Sequence, residues 1–372
     1  MKKNSIPRKI LMLLIIIIAV GLLFWSFKAK SDLNSREDDL KVTKWENFYS
    51  GDNIHFYYLN PQNENLLKLK KTYALDKLIN EKKDPLDNSI SIMKFINEKV
   101  KAQSNSMTSD KNALEIMEVA FDGTKISDSD YSTIYEECLA SIGINVRRGV
   151  LRSTVKKISG KSYFYVCEIW SDKYKKWIMI DGVNGCYMTY GGNPLGAVEV
   201  INKGIENVKI IGLNNTKKYI KNMKSYYESY SISVDNNKYG EIKSNSKITF
   251  LKNEQLPKLE TKEGFIQPTI FVNNPQVFKT SPKVEYVNKD NEKTPTLIFA
   301  KRDLKNDTKE VKKFTIGAFI NSYMLKYYYI SINGGDYIKV DTYLDLQIVK
   351  GINSIKLSQD GKTLVKEVVI EK

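Results

Sequence analysis

Few side chains in this sequence are suited to nucleophilic or acid–base chemistry. Its 372 residues include a single histidine, His55, and three cysteines, Cys138, Cys167 and Cys186. No pair of cysteines has CxxC spacing, so neither a disulfide framework nor a zinc site is indicated, and we expect no metal and no cofactor. His55 lies in the strand-like run NIHFYYLN, where we predict a structural role. The remaining candidates for chemistry are carboxylates and the three thiols.

An acidic stretch, DGTKISDSD at 122–130, leads into the clearest helix of the chain. From Tyr131 onward the apolar residues are spaced three and one apart, which forms one continuous helical stripe, and Gly143 is suited to end it. An Asp or Ser in the stretch from Ser127 to Asp130 can accept hydrogen bonds from unpaired amides of the first turn, a cap worth about 1 kcal/mol. We favour capping as the role of Asp128. Cation binding by the three aspartates of the stretch is the alternative, although they offer few ligands at a defined spacing.

After this helix the apolar period changes to two. The segments NVRRGVLRS, SYFYVCEIW and KKWIMID have the pattern of strands, and SDKYK is a turn that joins the last two as a hairpin. Helical patterns come earlier, in NENLLKLKKTYALDKLI, in DNSISIMKFINEKV and from about 111 to 121, with Asp87 or Asn88 as the cap of the second. Helices followed by a sheet predict an α+β domain.

Several short motifs stand in a definite order along this domain. They are DYS at 130–132, GINVR at 143–147, EIW at 168–170, WIMID at 177–181 and NPLGAVEV at 193–200. Together they resemble the transglutaminase-like superfamily, whose core is a papain-like α+β fold. The resemblance covers somewhat over a third of the chain.

The resemblance implies a triad of nucleophilic cysteine, histidine and orienting acid, whose positions fall on Asp128, Phe164 and Asp181. In such a triad the helix dipole and an imidazolium stabilise the thiolate, and the acid orients the histidine. Phe164 cannot carry a proton and Asp128 is a poor nucleophile toward amides, so only Asp181 keeps a suitable side chain. The hairpin would place Phe164 roughly opposite Asp181. Because general-base activation contributes about 10²–10⁴-fold, we expect a catalytically degenerate member.

The three cysteines differ in how well they could replace the missing nucleophile. Cys138 lies on the apolar stripe of the helix, and Cys167 lies on the strand face opposite Phe164, so we predict that both belong to the core. Cys186 follows Asp181 and could approach the cleft. We favour a structural or free thiol there, and its recruitment by an active enzyme is the alternative.

Aromatic residues are frequent around the expected cleft. Most should be packing residues, and a minority could bind peptide or sugar rings. The candidate cleft residues are Tyr131, Tyr163, Glu168, Trp170, Trp177, Cys186 and Tyr187.

The N-terminus has the pattern of an export signal. Residues 1–9 are basic and polar, residues 10–27 are apolar, and residues 28–42 resemble a tether. We expect residues 10–27 to be an uncleaved transmembrane anchor, with the N-terminus cytoplasmic and the main body extracellular. A cleaved signal peptide is the alternative, but KAKSDLNS offers no convincing cleavage site. The net charge of +15 would favour anionic wall polymers or lipid headgroups, whereas the scattered basic residues do not predict nucleic-acid binding.

The expected organisation is a transglutaminase-like domain at 43–201, a linker and β-rich region at 202–294, and an immunoglobulin-like β-sandwich at 295–372. The predicted fold class is therefore α+β, with an N-terminal transmembrane helix and a C-terminal all-β sandwich. The function that we expect is non-catalytic binding or scaffolding, with a cell-wall peptide, a glycan or an envelope protein as partner. The alternatives are an active peptidase, amidase or cross-linking acyltransferase, or a passive spacer that presents the sandwich.

Overall fold

The computed structural model describes residues 40–100, 111–153, 161–252, 255–261, 264–287, 292–301 and 311–372. Strands hold 35% of the structure and helices 26%, so the expected α+β class is wrong and the protein is mostly β. The difference arises because strands continue well past residue 201, where they both widen the first sheet and build further sheets. The proposed anchor at 10–27 lies outside the described residues, and within them no helix is long and apolar enough to cross a membrane.

Four helices form a layer that precedes the sheet in sequence. The six α-helices of the described chain are α1 (Glu64–Tyr73), α2 (Pro85–Lys99), α3 (Ala113–Phe121), α4 (Asp128–Ser141), α5 (Ala197–Lys203) and α6 (Thr216–Met223). Helix α2 begins earlier than predicted, because Asp84 accepts from the Leu86 amide and Pro85 occupies the first helical position. Helix α4 matches its prediction and is followed by Gly143 at φ +81°.

The central sheet has nine strands. They are β2 (Val146–Arg152), β3 (Tyr163–Ser171), β4 (Lys176–Asp181), β5 (Cys186–Tyr190), β6 (Asn193–Pro194), β7 (Lys209–Ile211), β8 (Ser229–Ser233), β9 (Lys247–Leu251) and β12 (Thr269–Val272). Their order is β12-β9-β8-β2-β3-β4-β5-β6, with β7 beside β5. The predicted hairpin of β3 and β4 is confirmed, with Trp170 opposite Trp177.

The two faces of this sheet bury different cores. One face packs against α1–α4 and includes Cys167, Ile169, Ile178 and Ile180. The other face packs against α5 and α6 and includes Val166 and Met179. Because side chains alternate along a strand, Cys167 and Phe164 point to opposite faces, as the sequence predicted.

The C-terminal part builds two further sheets around a third core. One contains β1 (Lys41–Trp45), β16 (Tyr327–Ile332), β17 (Ile338–Asp341), β19 (Ile352–Ser358) and β20 (Lys366–Glu371), and the other contains β13 (Thr296–Ala300), β14 (Val311–Ile320), β15 (Tyr323–Met324) and β18 (Tyr343–Val349). A separate ribbon joins β10 (Glu260–Thr261) and β11 (Gly264–Phe265). Strand β1 pairs with the last strand, β20, so the two ends of the described chain meet in one sheet.

The strand-like run NIHFYYLN does not form a strand. Only Tyr57 makes an isolated bridge, with Asp235. The run instead contacts the sheet through side chains, as when Tyr58 stacks on Trp177 at 5.7 Å.

Candidate functional site

The start of α4 places Asp128 beneath strand β3. Ser127, not Asp128, caps the helix: its hydroxyl accepts from the Asp130 amide at 3.1 Å. The Asp128 carboxylate instead accepts from the backbone amide of Tyr165 at 3.0 Å and from Lys161 Nζ at 2.6 Å. The predicted capping role of Asp128 is therefore wrong. Its carboxylate joins the start of the helix to β3 through the Tyr165 amide and forms a partly buried ion pair with Lys161.

Phe164 packs on the face of the sheet that is turned away from α4. Its ring lies 6.0 Å from the ring of Tyr226, whose hydroxyl donates to the Lys161 carbonyl at 2.9 Å. Across the hairpin Cys167 pairs with Ile180, so the register brings Val166, not Phe164, opposite Asp181. Phe164 is therefore about two residues, or roughly 7 Å, farther along the strand than the sequence predicted.

Asp181 is fully buried at the end of β4 and is held by three hydrogen bonds. It accepts from the Asn184 amide at 3.0 Å, from the Asn184 side chain at 2.8 Å and from the Tyr219 hydroxyl at 2.7 Å. Burial raises the pKa of the Asp181 carboxyl to about 6, against the lowering effect of these bonds and with a smaller rise from the charge of Asp128. The Tyr219 hydroxyl lies 3.1 Å from that of Tyr227, which extends the network into the core.

None of the cysteines has the environment of an activated thiol. Cys138, Cys167 and Cys186 are 0, 1 and 0% exposed. Burial raises the pKa of each thiol, and the nearby carboxylates raise it further. A thiol that is buried and protonated at neutral pH is a poor nucleophile. Cys186 pairs with Asp181 across β4 and β5, and it is the cysteine nearest to the carboxyl network.

Two of the motifs meet in a buried ion pair. The Arg147 guanidinium donates to one oxygen of Glu168 through Nε at 2.9 Å and Nη2 at 2.7 Å, and Nη2 also donates to the Phe278 carbonyl at 2.8 Å. The other Glu168 oxygen accepts from the Ala197 amide at the start of α5, at 2.8 Å. Arg147 lies 4.2 Å from the centroid of the Trp177 ring. GINVR, EIW and WIMID are thus brought together by a structural contact in the core.

The candidate cleft residues do not line one open surface. Tyr131, Glu168, Trp170, Trp177 and Cys186 are buried, whereas Tyr163 and Tyr187 are half-buried. Tyr131 donates to Asn97 at 2.8 Å, and Asn97 donates to the Gly182 carbonyl at 3.1 Å, so this tyrosine joins α2, α4 and the end of β4. Trp170 and Trp177 pack edge to face at 5.7 Å.

The side chains that bond to Asp128 and Asp181 were not predicted from the sequence. Lys161, Tyr219 and Asn184 bind the two aspartates, but only Asn184 had a local signal, because it follows Asp181 in an Asp-Gly turn. The described part of the chain contains no group of three His, Cys, Asp or Glu side chains that could hold a metal ion. Asp130 is bound to the Ser127 amide at 3.0 Å and does not join Asp128 in a shared ligand set.

Two open grooves lie elsewhere, on either side of His55. The first, of about 890 Å³, is lined by residues such as Phe56, Tyr58 and Lys283, and the second, of about 1080 Å³, by residues such as Phe319, Tyr323 and Tyr343. Between them His55 stacks on Tyr57 at 4.3 Å and on Tyr286 at 4.8 Å with the rings only 7° from parallel. Burial lowers the pKa of His55, which favours the neutral form of its imidazole. We call these three rings the His55 stack.

Comparison of the chain with family models, curated proteins and solved structures finds no match. The family assignment therefore depends on the sequence motifs alone, and it stays a prediction.

Proposed function

We propose that this chain is a catalytically silent relative of the transglutaminase-like proteins, and that it binds peptide or glycan of the cell envelope without cutting or joining it. The observation that carries this proposal is the state of the three triad positions. Asp128 is paired with Lys161, Phe164 is packed on Tyr226, and Asp181 is buried under three hydrogen bonds. Each side chain is committed to a contact inside the protein, so none is available to a substrate.

The two grooves beside the His55 stack support a binding function. They are large enough for a small ligand or a segment of a polymer, since ligand pockets are typically about 300–1,000 Å³. Aromatic ring faces and backbone polar groups suit peptide and sugar rings alike. We place the main body outside the cytoplasm, because basic residues precede the apolar run at 10–27.

Retention and turnover can be measured in one experiment. The purified protein is incubated with cell-wall fragments, and separately with an amine donor and a glutamine-containing peptide. We expect retention of the protein on the fragments, and no new amide bond or released fragment by mass spectrometry. Turnover that disappears after thiol alkylation would overturn the proposal and favour an enzyme that uses Cys186.

A matched pair of variants tests whether retention on the fragments depends on the grooves. Tyr286→Ala removes one ring of the His55 stack and should weaken retention about tenfold, since loss of a stacked ring costs on the order of 1–2 kcal/mol. Tyr327→Ala is the control, because this tyrosine is 56% exposed on β16 and does not line either groove. Equal retention of both variants on the fragments would show that the ligand binds outside the grooves.

A further inference from the structure

A small cationic pocket lies on the central sheet, across β2, β8, β9 and β12. Among the residues that line it are Arg152 from β2, Lys247 from β9 and Lys258 from the loop before β10. No aspartate or glutamate is among the described residues that line this pocket. The described residues of the pocket wall therefore carry an excess of positive charge.

Lys247 is the central group of this pocket. Its ammonium has neither an ion-pair partner nor a hydrogen-bond acceptor among the residues that the structure describes. Desolvation, together with the charges of Arg152 and Arg148, lowers the pKa of Lys247 to about 7. A half-buried ammonium group near other cations destabilises the folded state unless a bound anion neutralises its charge.

Hydroxyl groups form the floor of the pocket. Ser231 and Thr249 are 2.8 Å apart, Thr249 and Thr269 are 2.7 Å apart, and Thr269 donates to the Lys247 carbonyl at 3.0 Å. These hydroxyls satisfy one another across β8, β9 and β12 and fix the shape of the floor. The Ser229 hydroxyl makes no hydrogen bond to any described residue, so it is a donor available to a ligand.

The size of the pocket limits the ligand. Its volume is about 30 Å³, whereas one buried water needs roughly 10–15 Å³. It therefore admits two or three oxygen atoms of a tetrahedral oxyanion, with the rest of the ion at the mouth, and no sugar ring or nucleobase. Lys258 is exposed and stands at the mouth, where a larger molecule could continue outward.

We propose that this pocket is an oxyanion site, which binds phosphate or sulfate, or the phosphoryl group of a larger molecule, through Arg152, Lys247, Lys258 and the Ser229 hydroxyl. Charge-assisted hydrogen bonds from arginine and lysine are the usual means of holding such groups. The site is independent of the proposed envelope-binding function, since it shares no residue with the grooves beside the His55 stack.

The test compares the thermal stability of the full-length protein in sodium phosphate, sodium sulfate, glycerol phosphate and sodium acetate, each against sodium chloride at matched ionic strength. We expect a saturable rise in melting temperature with phosphate and sulfate, and none with acetate beyond chloride. If glycerol phosphate raises the melting temperature as much as phosphate does, the site binds phosphoryl groups of larger molecules. If phosphate raises the melting temperature and glycerol phosphate does not, the site binds the free ion. No saturable rise with any oxyanion would overturn the proposal.

Two variants test the pocket itself. Lys247→Met should abolish the oxyanion effect and, in chloride, should raise the melting temperature, because it removes an uncompensated charge. Lys258→Met alters only an exposed side chain, so it should fold normally and weaken the apparent affinity several-fold. Lys209→Met, on an exposed position of β7, is the matched control and should keep the full effect. An unchanged oxyanion effect in both pocket variants would contradict the assignment.

Discussion

Arg147→Met is the substitution that most sharply separates a structural role of the motifs from a catalytic one. Arg147 is fully buried and its guanidinium makes three hydrogen bonds, two to Glu168 and one to the Phe278 carbonyl. Its removal leaves Glu168, which is 2% exposed, with the Ala197 amide as its remaining partner among the described contacts. A buried carboxylate deprived of its cation cannot regain solvation without opening the core.

The size of the effect follows from these contacts. Removal of one partner of a buried ion pair costs about 3–5 kcal/mol, and loss of the cation–π contact with Trp177 adds about 1 kcal/mol. Glu168→Gln should cost a similar amount, because it leaves the arginine unpaired. The double variant Arg147→Met/Glu168→Gln contains no unpaired charge, so it should be more stable than either single variant.

Denaturant unfolding followed by tryptophan fluorescence measures these free energies, and Trp177 itself lies against the pair. Arg148→Met is the comparison, since that arginine is half-buried and bonded to Thr133 and its charge acts on the buried Glu136; it should cost less than Arg147→Met, about 1–2 kcal/mol. The reasoning is refuted if Arg147→Met loses less than about 1 kcal/mol, or if the double variant loses the sum of the two single variants.

Three further predictions concern the triad positions and the oxyanion pocket. Asp128→Ala should destabilise the fold by about 2–3 kcal/mol in denaturant unfolding, since it removes an ion pair and a bond to a strand amide, whereas Asp122→Ala on an exposed position should change little. Asp181 has a raised pKa of about 6 when folded and about 3.9 when unfolded, so the native state binds the extra proton and wild-type stability falls as pH rises between these values. Asp181→Asn lacks this loss, and its stability relative to wild type should improve by about 2 kcal/mol from pH 4 to pH 7; a constant difference would show that Asp181 does not have this pKa. Because Lys247 has a pKa of about 7 and the other charged residues among the described lining are Arg152 and Lys258, sulfate, whose own charge is constant over this range, should bind several-fold more tightly at pH 6 than at pH 8 by calorimetry. Phosphate loses negative charge as the pH falls through this range, so its affinity should change less than that of sulfate.

Local pattern was sufficient for the elements around the site. The apolar stripe of α4, its stop at Gly143 and the alternation in β3 and β4 depend on residues close in sequence, and all are present. The strand β1 was not found, because five residues with a mixed pattern become a strand only through pairing with β20 at the other end of the chain. The fold class was wrong for the same reason, since β8, β9 and β12 join β2 through pairing that no local pattern specifies.

The site was predictable in its positions and not in its contacts. The sequence predicted that Asp128 and Asp181 lie in one region, and the charge of Asp128 contributes to the raised pKa of Asp181. It did not reveal Lys161 or Tyr219, which reach the aspartates from other elements. The hairpin register was also two residues off at Phe164, because the pairing depends on where the turn residue Lys175 takes its φ of +51°.

The central claim is that no activated thiol exists in the folded protein, and alkylation kinetics test it directly. The native protein is treated with iodoacetamide at pH 7.5, and labelling of Cys138, Cys167 and Cys186 is followed by peptide mass spectrometry, with the unfolded protein as reference. The structure predicts that all three are protected by at least about a hundredfold relative to the unfolded chain, since each is buried and has a raised pKa. Labelling of any one of them faster in the native than in the unfolded protein would contradict the account.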